Sequence, residues 1–173
     1  MNRIHLRIIL LFVLVLFLDA TSLLAQNNQP AKIKASAIQV EMIQSDEIKL
    51  PAEFQVALYE NLVRQIEKKS GFQHVYRNGD TSATSAPNLV ILHSTVSGFK
   101  AGSERARQVT TVAGATSITI HCRFTDTSGK SLLERDVNGK VRFFGNNLKA
   151  TYDFAKKAAR ITQESFSVSE EKK

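Results

Sequence analysis

Several groups of residues have the types and spacing that chemistry could use. Ser97-Gly98-Phe99-Lys100 has the Ser-x-x-Lys spacing of penicillin-interacting serine enzymes. A nucleophile of that kind sits at a helix start and is accompanied by Ser-Asp-Asn and Lys-Thr-Gly motifs. Neither motif occurs here, and Ser97 ends a strand-like segment. Gly129-Lys130-Ser131 resembles the end of a phosphate-binding loop, but that motif needs glycine where this chain has Phe124. His74, His93 and His121 lack the short spacings of a strong metal site. His93 and His121 can still meet on neighbouring strands. Asp126 and Asp136 are a possible carboxylate pair, yet a turn aspartate and a salt-bridging one need no catalysis. The sequence therefore assigns no catalytic residue, no metal ligand and no cofactor.

The remaining candidates are cationic. Arg105, Arg107, Arg123 and Lys130 form an anion-binding patch if the Gly102 to Ala115 loop folds beside the turn containing Lys130. A planar guanidinium matches the paired oxygens of phosphate or carboxylate. The chain carries 23 Lys and Arg against 16 Asp and Glu, a formal charge of +7. Such a balance favours anionic partners or surfaces.

The elements that must position these groups start from Thr116 to Val137. Ile118, Ile120, Cys122 and Phe124 alternate with Thr119, His121, Arg123 and Thr125, the period of a strand with one buried face. After Asp126 to Lys130 the alternation resumes through Leu133, Arg135 and Val137. A two-residue loop at Ser128-Gly129 sets Phe124 opposite Leu133, Ile120 opposite Val137, Arg123 opposite Glu134 and His121 opposite Asp136. A three-residue loop would set Cys122 against Glu134 on the core face, and a slip of one residue reverses every side chain. An even loop is expected, with Arg135 reaching out from the inner face at an edge. A second hairpin at Asn138-Gly139 would oppose Arg135 to Arg142, an unfavourable like-charge pair. One long strand with Gly139 at a bulge or bend is expected instead.

Upstream, Arg3 and Arg7 precede the unbroken apolar run Ile8 to Leu18, then Asp19 and the small-residue region Ala20 to Ala25. This is the layout of a secretory signal peptide, and the run is short of the roughly 20 residues that span a bilayer. Residues 1–25 are expected to be removed, with cleavage after Ala25 or Ser22. Loss of Arg3, Arg7 and Asp19 moves the charge from +7 to +6. Residues 26–31 read as a linker, 32–166 as a single α+β domain and 167–173 as a disordered tail. A periplasmic or extracellular location follows, and it argues against nucleic acid as a partner. The single cysteine, Cys122, permits no internal disulfide. It shares a face with Ile120 and Phe124 and reads as buried.

Ile33 to Met42 reads as the first strand. Pro51 suits a helix start, and Phe54, Leu58, Leu62 and Ile66 follow at intervals of four, up to Gly71. Phe72 to Arg77 is a short strand, and Asn78 to Ala86 a polar loop without core content. Asn88 to Lys100 is apolar on both faces, as in a central strand. Asn146 or Asn147 caps a last helix that runs through Tyr152, Ala155, Ala158, Ala159 and Thr162 towards Phe166. The expected fold is α+β, a mixed, mainly antiparallel sheet of four to five strands with two helices packed on one face, in the order β-α-β-β-β-β-α.

Gly98 to Ser103, Arg107, Ala113-Gly114, Cys122 to Asp126 and Gly129-Lys130 carry a resemblance to a family of exported bacterial proteins, domain of unknown function 4410. The resemblance covers roughly residues 35 to 165. It implies a bacterial envelope setting and supplies no catalytic residues. Many members of that family look like lipoproteins, whereas this chain has no cysteine near the cleavage region. The expected function is that of a secreted or periplasmic cell-envelope protein, a non-enzymatic binding or assembly module whose partner is an envelope protein or an anionic glycan or lipid surface. The alternative is a small exported hydrolase or metal-dependent enzyme. Oligomeric state does not follow from the sequence.

Overall fold

The computed structural model describes residues 31–109, 114–142 and 145–168. The chain divides into two units, residues 1–31 and 32–173. The expected signal peptide lies outside the described residues. Along the second unit run β1 (Ile33–Ala35), β2 (Ala37–Val40), α1 (Ala52–Lys69), β3 (His74–Arg77), β4 (Leu89–Lys100), α2 (Glu104–Val109), β5 (Thr116–Thr125), β6 (Ser131–Val141), α3 (Lys149–Ser165) and β7 (Phe166–Val168).

Five strands form one sheet in the order β3-β2-β4-β5-β6, and β1 and β7 make a separate parallel pair. The fold is α+β with a mixed sheet. β2 is parallel to both β3 and β4, whereas β4, β5 and β6 are antiparallel. β4 lies at the centre, in keeping with its apolar content. The expected first strand is broken at Ser36 into β1 and β2, each serving a different sheet. Met42, expected in that strand, is outside it and exposed.

The β5–β6 pairing has Phe124 opposite Leu133, Arg123 opposite Glu134, His121 opposite Asp136 and Ile120 opposite Val137. The loop is not the even one expected. Gly129 N–H donates to the carbonyl of Asp126 at 3.0 Å and Asp126 N–H to the carbonyl of Lys130 at 3.1 Å, which leaves three residues in the loop. Gly129 takes a left-handed φ of 84°, as three-residue hairpins require. Thr125 then pairs with Ser131, so Leu132 is an extra residue. A bulge thus restores the register that an odd loop would have shifted. The Asp126 carboxylate holds the turn, accepting from the N–H groups of Ser128 and Lys130 at 2.9 and 3.0 Å.

α1 begins after Pro51, whose carbonyl accepts from Phe54 and Gln55 N–H. Lys68 and Lys69 complement its C-terminal dipole, and Gly71 at φ 81° ends it. Phe54, Leu58, Leu62 and Ile66 are all buried against the sheet, each worth about 1.5 to 3 kcal/mol. α3 lies beside α1 on the same face, burying Ala150, Phe154, Ala155, Ala158 and Ala159 in the same core. The small side chains permit close approach, and Gly139 of β6 lies directly under the helix. It pairs regularly with Ile118 and makes no bulge. A side chain there would strike the carbonyl of Ala150, with Phe154 Cβ at 2.7 Å. The glycine is needed for helix contact, not for a bend.

Two further expectations change. Within Asn78 to Ala86, a short 3-10 helix over Thr81–Ser85 buries Ala83 against Ala37 and Leu89. Ser167 and Val168, assigned to the tail, extend in β7 and pair with Lys34 and Ala35.

Candidate interaction face

With both long helices on one side, alternation along the strands sends the opposite set of side chains to the other side of the sheet. Registers of β4, β5 and β6 place His93 beside Arg123 and Thr95 beside His121, then Arg123 beside Glu134 and His121 beside Asp136. The result is an open polar surface. His93 and His121 do share it, as neighbouring strands allow. His121 Nδ1 is 2.8 Å from Asp136 Oδ1, and His93 Nε2 is 3.1 Å from Thr125 Oγ1. Weaker approaches of 3.8 Å join His93 to Glu41 and His121 Nε2 to Glu134. Glu134 also accepts from Ser131 Oγ at 2.9 Å, so it stands opposite Arg123 with its carboxylate turned to other donors.

Chemically, an Asp136-oriented imidazole is half of a hydrolytic triad, whose other half is a hydroxyl or thiol at the second ring nitrogen. Here that nitrogen faces a carboxylate. Cys122 lies on the core side of the sheet opposite Ser94, where burial pushes its thiol up to about 12. It is inert at neutral pH. Among the described residues no group of three or more His, Cys, Asp or Glu side chains is arranged to hold a metal ion.

The four expected anion-binding residues do not form one patch. Arg123 and Lys130 belong to the hairpin end of β5, and Arg105 and Arg107 to α2 at its start. Seven residues of strand separate Thr116 from Arg123, roughly 23 Å at about 3.3 Å per residue. Arg105, Arg123 and Lys130 are exposed. Arg107 is only 5% exposed. Its guanidinium donates to the carbonyls of Gly114 and Gly145, to Asn147 Oδ1 at 2.8 Å and to Thr116 Oγ1 at 3.3 Å. Asn147, expected as a helix cap, spends its side-chain oxygen on Arg107 and Thr116. α3 starts at Lys149 without a side-chain cap. Arg107 therefore ties the two ends of the loop before β5 to the segment leading into α3. Its preference for a planar fork was visible in the residue type, but nothing in the spacing showed that backbone carbonyls would fill it.

A family model described as Domain of unknown function (DUF4410) matches residues 17–143. No curated protein matches the chain. Among solved structures, the PelC dodecamer from Paraburkholderia phytofirmans is similar in fold, with a TM-score of 0.57 and 12% identity over 80% of this chain and 94% of that chain. A point variant of the same dodecamer gives a TM-score of 0.55 and 11% identity over 79% and 92%. A protein from Xanthomonas campestris gives 0.46 and 13% identity over 79% and 85%. No helix among the described residues is long and apolar enough to cross a membrane.

Proposed function

From the premise that the chain belongs to the family described as Domain of unknown function (DUF4410), we propose that it is an exported bacterial cell-envelope protein, a non-enzymatic binding or assembly module that works through the open face of its sheet. The observation that carries this reading is the row of charged and imidazole groups from Glu41 through His93, Arg123 and His121 to Asp136. It is one-sided, solvent-facing and backed by a packed helix layer that holds it rigid. Such a surface presents fixed charges to a partner at low ordering cost. The first partner to test is a second copy of the chain, because a protein of similar fold is a dodecamer.

The test is a photo-crosslinking amino acid placed singly at Thr95, Arg123 or Asp136 on this face and at Val56 or Tyr152 on the helix layer, with the mass of the protein in solution measured alongside. Crosslinks from the sheet positions, absent from the helix positions, are expected. A monomer that crosslinks equally from both layers would sink the reading.

A further inference from the structure

We infer that the outward ridge of α3, with the end of α1, docks on the phosphate groups of an anionic lipid surface. An open groove of about 330 Å³ there is lined by Lys69, Lys156, Lys157, Arg160, Asp153 and Gln163. Four cations face one carboxylate, and that carboxylate is already held by Lys157 Nζ at 2.6 Å and by the Lys140 N–H at 3.0 Å. Arg160 reaches Glu164 only at 3.6 Å, with both side chains about two-thirds exposed, a contact too weak to neutralise it. A further cation stands at the rim, where Lys32 Nζ donates to the carbonyl of Gln163 at 2.9 Å.

Geometry selects a surface over a single small anion. A lone phosphate is held by donors that converge, whereas Lys156 and Arg160 lie one helical turn apart on an exposed ridge and project away from it. Tyr152, one turn earlier, is 47% exposed, and Lys156 Nζ lies 5.7 Å above its ring. A half-exposed tyrosine flanked by lysine has an apolar body and polar tip suited to the headgroup region of a membrane. The surface is independent of the sheet face, so either can fail alone.

The experiment uses the full chain with vesicles of phosphatidylcholine, with and without phosphatidylglycerol. Tighter binding to the anionic vesicles is expected, weakening as salt is added. Replacing Lys69, Lys156 and Arg160 together by glutamine should reduce that preference by roughly a hundredfold, at about fivefold per cation. The same exchange at Lys49, Arg105 and Lys130, exposed cations outside both this ridge and the row on the sheet face, should preserve it. Equal losses in the two triple variants would reduce the effect to net charge and overturn the site. So would no preference for phosphatidylglycerol, or displacement from the vesicles by millimolar inorganic phosphate. As a readout free of any folding defect, acetylation of Lys69 and Lys156 in the unaltered protein should be suppressed by anionic vesicles and not by neutral ones.

Discussion

Gly139→Ala tests how closely α3 lies on the sheet. The added methyl would meet the carbonyl of Ala150, with Phe154 Cβ at 2.7 Å and Phe154 N at 2.9 Å. Two of these three are helix backbone, which cannot rotate away as a side chain does. The helix must therefore lift, and the Phe154 side chain behind it, fully buried, must give up contacts. Overpacking of this kind costs about 1 to 3 kcal/mol, and backbone contact places it at the upper end. For a domain of this size 3 kcal/mol corresponds to a fall in Tm of roughly 6 to 12 °C. Gly98→Ala is the matched control in the same sheet, because a methyl there would find only Thr119 at 3.5 Å, an ordinary contact. It should be neutral, or stabilising by up to about 1 kcal/mol through the unfolded chain. The chain has no tryptophan, so thermal and urea unfolding are best followed by circular dichroism. Equal stability of the two variants would refute the close helix contact.

Arg107→Ala should cost about 3 kcal/mol in urea unfolding, because it strands buried carbonyls and Asn147 together. Arg107→Lys should recover less than half of that, since an ammonium cannot span the same acceptors. Cys122 should resist alkylation in the folded protein and react on denaturation. Its thiol ionises near 9.0 when unfolded and only at about 12 when folded. The resulting stability is present below pH 9 and lost between pH 9 and 12, at a slope approaching 1.4 kcal/mol per pH unit. Cys122→Ala should remove that component of the slope, and an unchanged slope would show the thiol to be accessible. Asp126 should titrate below the ordinary aspartate range in carbon NMR, because hydrogen bonds from Ser128 and then from Lys130 favour its charged form. Ser128→Ala should return it part of the way.

Strand positions and the hairpin register were legible because they rest on alternation, a signal that every residue of β5 and β6 repeats. The turn was not. Its odd loop and the extra Leu132 cancel, and a pairing argument registers only their sum. Gly139 was misread for a related reason. Glycine in a strand signals either a bend or a near neighbour, and the neighbour is a helix whose packing depends on residues ten and more positions away. For the site, each histidine's place in a strand allowed His93 and His121 to meet, and the β4–β5 register is what puts them on one face. The proposed Arg and Lys cluster failed because its two halves flank β5 in the chain and therefore lie at opposite ends of an extended strand, a separation already present in the residue spacing. Burial of Arg107 depends on three segments meeting, which no local pattern carries.

The pairing of β1 with β7 has a consequence in time. Ile33 meets Phe166, nearly the first residue of the domain against nearly its last. Phe166 in turn packs its ring at 5.3 Å from that of Phe124 and 6.0 Å from that of Phe72. Local contacts such as the β5–β6 hairpin can form early, but closure of this far end waits for the final turns of the chain. A polypeptide delivered N-terminus first therefore holds Ile33 to Ala35 without its strand partner until almost everything else has arrived. Truncation before Phe166 should leave a collapsed, incompletely packed domain in which Ile33 to Ala35 and the rings of Phe72 and Phe124 lack their last partner.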